Sequence, residues 1–263
     1  MTGDELHISC ITPGQEWRAT SSDGDLAGTL QAWLRPDRRC ALFFGPGPHH
    51  AWPPLVATAA ADLRRDLYTE AGEADHAALA ALTRAGFTRH RRESTCTLPV
   101  APVVTTLADA RLPAGLAAVS ARDADEDRLR RLDDAVRQDI PGTDGWRWEP
   151  AGFHAETFCD DFDPETYLIA VDQASGQYAG LLRVWLNPAH PRLGCIGILP
   201  PYRRRGLAQA LLRQVSGVLA VRGLAEVALE IDDTNQASRT LFTTLGARRT
   251  GGTVELIRRH RAS

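Results

Sequence analysis

The chain repeats part of itself, and this constrains its fold more than any other feature. Gly24 to Pro36 reads GDLAGTLQAWLRP and Gly176 to Pro188 reads GQYAGLLRVWLNP, with Gly, Ala-Gly, Leu, Trp-Leu and Pro shared at an offset of 152. A second pair follows at an offset of 160: LYTEAGEADHAALAALTRAGF from Leu67 and VALEIDDTNQASRTLFTTLGA from Val227. Each member of that pair reads as a strand, a polar turn, a short helix and a closing glycine, Gly86 or Gly246. Two copies of one supersecondary pattern predict two similar units. The growth of the offset means that the first copy lacks eight residues, which we expect to be missing from the loop between the matches. At 263 residues, 43% apolar and 24% charged, the chain can fill two small cores, which excludes disordered and fibrous classes.

Pro99, Pro102 and Pro113 suggest an extended connector over residues 99–114, so the expected domains are 1–98 and 115–263. In the second copy, Gly115 to Val119 reads as a strand and Asp123 to Ile140 as a helix, with Leu129, Leu132 and Val136 on one face. Gly152 to Cys159 follows as a helix or turn, and then come strands over Tyr167 to Val171, Gly180 to Leu186 and Leu193 to Leu199. A helix from Gly206 to Arg222, a strand at Val227, Leu229 and Ile231, and a helix capped by Thr234-Asn235 complete an α/β (α+β) layout with a mixed sheet. The first copy has only 23 residues before Gly24, too few for the two opening helices.

Chemistry concentrates in IGILPPYRRRGLAQ, Ile196 to Gln209, where a strand ends in a proline-bounded turn and runs into a helix. Such a junction offers unpaired N–H groups and the positive end of a helix dipole, which suits a diphosphate, and Gly206 would let backbone approach it. The plain alternative is a solvated arginine run. The segment and its sequel resemble the GNAT superfamily of N-acetyltransferases. Arg203-Arg204-Arg205-Gly206-Leu207-Ala208 fits that family's acyl-CoA loop, and Val227, Leu229, Ile231, Asn235, Ala237 and Leu241-Phe242-Thr243-Thr244-Leu245-Gly246-Ala247 fit its next strand and helix.

The resemblance implies two tandem GNAT-like domains, each with a mixed, mostly antiparallel sheet, a splayed strand pair and flanking helices. It implies acetyl-CoA as cosubstrate and no metal. Ile196, Gly197 and Ile198 would pair with the pantetheine arm, Arg203, Arg204, Arg205, Gly206, Leu207, Ala208 and Gln209 would wrap the pyrophosphate, and Asn235 would hold the pantetheine from the far side. Asn235 is equally a natural helix cap. Glu230, on the opposite strand face from Val227, Leu229 and Ile231, is the candidate base, although an exposed strand glutamate needs no catalytic role. Asp232 and Asp233 read better as turn residues. Where the family commonly has an acid tyrosine, this chain has Phe242, so the thiolate takes its proton from water, the substrate or another side chain, with Ser238 a weaker candidate acid, or needs no acid. Arg192 stands where histone-modifying relatives have a base. The first copy has CALFFGPGPHHAWPP in place of the phosphate loop, so it reads as a degenerate, structural copy, as in tandem members similar to mycothiol synthases.

The net charge of −3 conceals a division: residues 120–165 hold 14 Asp/Glu and 6 Arg, whereas residues 183–222 hold 7 Arg and no acid. Within the acidic stretch, Asp139, Asp144, Trp146 and Trp148 are candidate contacts for a cationic amine, against the simpler reading of a solvated face over core aromatics. The expected activity is acetyl transfer to the primary amine of a small cationic metabolite or antibiotic-like amine, by direct attack in a ternary complex. An acyl-CoA-binding pseudoenzyme and a protein N-terminal or lysine acetyltransferase are the alternatives. No lysine occurs, so cationic phosphate contacts must be arginines. Five dispersed cysteines, no 18-residue apolar run and a polar N-terminus suggest a reduced cytoplasmic protein with neither nucleic-acid nor membrane partners. Homodimer formation stays open.

Overall fold

The computed structural model describes residues 6–186 and 191–260. Two compact units form, Met1–Glu93 with Gly251–Ser263, and Ser94–Thr250. In chain order the first half contains β1 (His7–Thr12), β2 (Glu16–Thr20), β3 (Leu26–Leu34), β4 (Cys40–Phe44), α1 (Trp52–Leu63), β5 (Leu67–Gly72), α2 (His76–Arg84) and β6 (Thr88–Pro99). The second half contains α3 (Val100–Thr106), β7 (Leu116–Ser120), α4 (Glu126–Arg137), α5 (Pro150–Thr157), β8 (Tyr167–Asp172), β9 (Tyr178–Trp185), β10 (Arg192–Ile198), α6 (Leu207–Val221), β11 (Glu226–Asp232), α7 (Gln236–Thr244) and β12 (Arg248–Arg258). Each unit is a mixed, mostly antiparallel sheet with helices packed on it.

In the first unit the strands lie in the order β1-β2-β3-β4-β5-β12. Only β4 and β5 are parallel; β12 closes this sheet by pairing antiparallel with β5 from Thr253↔Gly72 to Arg258↔Leu67. Leu55, Val56 and Ala59 of α1 and Leu79 and Leu82 of α2 pack with Trp17, Leu30, Leu42, Val254 and Leu256. The short N-terminal segment forms the β1-β2 hairpin instead of helices.

The second unit orders its strands β6-β11-β10-β9-β8-β7, and β10 pairs parallel with β11 as β4 does with β5. Period-two alternation divides the side chains between two layers. Leu182, Val184, Val227, Leu229 and Ile231 pack with α6 residues Leu207, Leu211 and Val215. On the other face Tyr167, Ile169, Leu181 and Cys195 pack under Leu129, Leu132 and Val136 of α4 and Phe153 of α5.

The repeat is visible as structure: β3-β4-α1-β5-α2 and β9-β10-α6-β11-α7 have the same order and the same antiparallel-then-parallel pairing. Three expectations need correction. The eight missing residues are not concentrated in one loop. Two are lost from β4, three from α1, one from the loop between them and one from each flanking connection. Residues 99–114 are not an extended connector, because α3 occupies Val100–Thr106. Pro102 falls in its first turn, where no helical N–H is required, and Val100, Val103 and Leu107 bury a stripe in the same core as α6. The units also do not divide at 98 and 115. Strand β6 passes into the second unit at Ser94, and β12 passes into the first at Gly251.

Candidate functional site

The site begins with a break in the second unit's sheet. Strands β10 and β11 are paired only at Arg192↔Ala228 and Leu193↔Leu229, whereas β10 remains on β9 as far as Ile198↔Gly180. The register shifts between Leu193 and Cys195, where the Trp185 indole occupies the place that a side chain at Gly194 would need. A bulge of this kind bends and twists its strand, so β10 parts from β11. Ile196 and Ile198 pack into the α6 layer, while Gly197 faces α4 so closely that a Cβ would lie 2.6 Å from that of Val136.

Beyond Ile198, Pro200–Tyr202 forms a tight turn anchored by the Tyr202 hydroxyl, 3.2 Å from Asp172 Oδ2 and 3.3 Å from Gln177 Oε1. Arg203 donates through Nε to the Ile198 carbonyl at 2.7 Å and its guanidinium pairs with Asp139. Arg204 (φ 60°) and Gly206 (φ 79°) then adopt left-handed conformations, and Gly206 begins α6 without any capping side chain. A Cβ on Gly206 would meet nothing closer than 3.9 Å, so its glycine is required by φ, not by space. Arg204 and Arg205 are exposed and form no hydrogen bond or ion pair with the described residues. Leu207, Ala208 and Gln209 start the helix with uncapped N–H groups. Two unengaged guanidinium groups stand beside the positive end of a 15-residue helix at the mouth of the strand break, an arrangement that suits an anion.

The other predicted residues divide. Asn235 caps α7 through Oδ1, 3.1 Å from the Ser238 N–H, which leaves its amide NH2 uncommitted among the described residues. Ser238 lies in the first turn of α7, while Phe242 is buried in the α6 layer. Glu230 is exposed on the α4-facing side of β11, and its Oε2 pairs with Arg192 at 2.6 Å. Asp232 accepts from the Thr234 N–H at 2.7 Å, the turn role expected of it.

The acidic stretch is largely committed internally. Asp139 pairs with Arg203, and Asp163 pairs with Arg222 at 2.8 Å. Trp148 donates through its indole N–H to Asp133 at 2.9 Å, and its backbone N–H binds Asp134 at 2.9 Å. Trp146 is buried edge-on against Trp148, and the Arg137 guanidinium lies 4.8 Å from its ring. Asp144 is exposed. These aromatics therefore build the α4–α5 layer and present no open cage.

Sequence reasoning missed what lies beneath that layer. Tyr167, Arg183 and Cys195 stand side by side on β8, β9 and β10 and face α4, where Asp133 and Arg137 form a buried ion pair. Burial pushes the Cys195 thiol up to about 11 and the Tyr167 hydroxyl well above its ordinary range. The one signal was an arginine inside the apolar strand GLLRVW.

The corresponding region of the first unit is closed. Strands β4 and β5 also stop pairing after two positions, but the Thr69 hydroxyl bridges the gap to the Leu42 carbonyl at 3.0 Å; the repeat puts Leu229 at the Thr69 position. Pro53 and Pro54 remove N–H groups from the first turn of α1, and Trp52 stacks on Phe44 at 4.2 Å. His49 packs edge-on against Trp52. Among the described residues no group of three or more His, Cys, Asp or Glu could hold a metal, and no helix is long and apolar enough to cross a membrane.

The fold has close counterparts. A GCN5-related N-acetyltransferase from Sphaerobacter thermophilus is 19% identical with a TM-score of 0.70, covering 95% of this chain and 82% of its own. A tandem GNAT protein from the clavulanic acid biosynthesis pathway is 17% identical with a TM-score of 0.68, covering 98% and 84%. A GCN5-related N-acetyltransferase from Kribbella flavida is 15% identical with a TM-score of 0.56, covering 97% and 89%. No curated protein sequence matches the chain. Residues 131–247, which contain the strand break, the arginine loop and α7, match the acetyltransferase (GNAT) family model. Through this second unit the chain is similar to the GNAT family of acetyltransferases.

Proposed function

We propose that the second unit transfers an acetyl group from acetyl-CoA to the primary amine of a small metabolite, by direct attack while both substrates are bound. The observation that carries this reading is the uncapped N-terminus of α6 with Arg204 and Arg205 unengaged beside it. Those residues would hold the pyrophosphate, and Gly197 and Ile198 would receive the pantetheine arm along the unpaired edge of β10. The Ile198 N–H would polarise the thioester carbonyl. Acetyl-CoA supplies the activated acyl group. Glu230 takes a proton from the ammonium, which frees the nitrogen lone pair to attack the carbonyl carbon; the C–S bond then breaks, and the departing thiolate takes up the second proton that the nitrogen loses, while Arg192, paired with one carboxylate oxygen, fixes the orientation of Glu230. The commitment of the acidic stretch to internal pairs removes the main support for a polycationic acceptor and leaves the amine itself as the required feature. The first unit acts as a structural copy, in keeping with its prolines and its bridged strand gap.

The test is loss of thioester absorbance with a panel of primary amines. Turnover supports transfer. Burial of Phe242 favours a second reading, an acyl-CoA-binding protein that transfers nothing; tight acetyl-CoA binding without turnover of any small amine or peptide would establish it. Turnover of peptides alone would identify a protein acetyltransferase.

A further inference from the structure

Arg183 has almost no access to solvent, with 2% of its surface exposed, yet its Nε and Nη2 groups find no hydrogen-bond acceptor. Donors buried without partners are costly, and a buried guanidinium more so. The nearby carboxylate does not resolve this: Asp133 uses Oδ2 for both Arg137 and the Trp148 indole, so Asp133, Arg137 and Arg183 together hold one excess positive charge inside the α4-facing layer. The Tyr167 hydroxyl, 1% exposed and next to Arg183 across β8 and β9, is also unpartnered, as is Asp133 Oδ1. Nε and Nη2 share one edge of the guanidinium plane and match the two oxygens of a carboxylate.

This group lies on the sheet face of the proposed reaction. Arg183, Trp185, Arg192 and Glu230 alternate onto the same side of β9, β10 and β11 as Gly197. The Trp185 ring separates the buried guanidinium from the exposed pair, 4.1 Å from Arg183 and 5.3 Å from Arg192. Trp185 is itself partly exposed. Displacement of that indole is the movement that would join Arg183 to the sheet face carrying Arg192 and Glu230.

We propose that Arg183, assisted by the Tyr167 hydroxyl, binds a carboxylate of the acceptor, so the substrate is an amino-acid-like molecule carrying both the reacting amine and a carboxylate. This rests on the acyl-transfer reading for its chemistry, while the carboxylate subsite can be measured without it. The experiment compares acetylation of ornithine with putrescine and of lysine with cadaverine, pairs that differ by one carboxylate. The wild-type protein prefers the amino acid by about 10-fold or more in kcat/KM, the minimum expected when buried donors lose their acceptor. Arg183→Gln loses that preference but still acetylates the decarboxylated amine.

Equal rates for both members of each pair, or a preference that survives Arg183→Gln, overturns the subsite and leaves ordered water as the partner of Arg183. Should Arg183→Gln fail to fold by circular dichroism, Arg183→Lys, which keeps the charge but lacks the two-pronged edge, is expected to lose most of the preference. The wild-type comparison decides on its own if neither variant folds. If no amine is acetylated, the transfer reading fails, and thermal stabilisation by propionate but not by n-propanol then decides the subsite separately.

Discussion

Replacing Arg204 and Arg205 together by alanine removes two cations from the start of α6 without breaking a described contact. Unit charges about 4 Å apart attract by about 1 kcal/mol in water and about 4 kcal/mol near a protein surface. Both side chains are exposed, so the low part of that range applies, about 1–2 kcal/mol each, or roughly 5- to 30-fold in Kd per arginine. The assay is calorimetric titration with acetyl-CoA and, in parallel, with S-acetyl-pantetheine, which lacks the pyrophosphate. The double variant should weaken acetyl-CoA binding and leave S-acetyl-pantetheine binding unchanged, and added salt should affect the wild type more than the variant. Unchanged acetyl-CoA affinity, or equal weakening of both ligands, would refute a pyrophosphate role for the pair. Gly206→Ala provides a companion test. At φ 79° a Cβ costs about 1–2 kcal/mol, although the space around it is open, so Tm should fall by about 2–4 °C per kcal/mol lost.

Glu230→Gln should reduce kcat by about 10²- to 10⁴-fold while leaving acetyl-CoA affinity unchanged; steady-state rates that match the wild type would remove it as the base. Gly197→Val drives a side chain into Val136 and should destabilise the second unit by about 1–3 kcal/mol, read by thermal melting. Of the five free thiols, exposed Cys10 and Cys159 should react rapidly with a disulfide reagent at neutral pH, while buried Cys40, Cys96 and Cys195 should react only after unfolding. Deletion of residues 251–263 strips β5 of its antiparallel partner and removes Val254 and Leu256, worth about 1.5–3 kcal/mol each on burial, so limited proteolysis should degrade the first unit.

Much of the candidate site was legible because its determinants are local. The αL glycine, the arginine run and the helix that follows are adjacent in sequence, so Gly206 could be assigned its place before any packing was known. The repeat likewise exposed the order of strands and helices. What failed was non-local. Nothing near Trp146 or Trp148 reveals that the Arg137 guanidinium lies against both rings, so a ligand contact and a core role both stayed open for them. The prolines at 99 and 102 looked like a linker because tolerance in a first helical turn depends on α6 being there to receive Val100 and Val103. Arg183 was passed over because an arginine within an apolar strand acquires meaning only from its cross-strand neighbours Tyr167 and Cys195.

The place of β12 has a consequence for how the protein is made. The first unit draws on two segments far apart in sequence, so its sheet stays open on the β12 side of β5 until residues 251–258 have left the ribosome. Synthesis at about 5–20 residues per second leaves that edge exposed for roughly ten seconds or more after β5 has emerged. During that interval the nascent chain carries a strand open along one edge, a template for pairing with a neighbouring chain. The residues opposite β12 on β5 include Glu70, a charge of the kind that discourages such pairing, and neither β5 nor β12 contains a proline that would block the correct closure. A chaperone that holds incomplete sheets should therefore raise the soluble yield of the full chain.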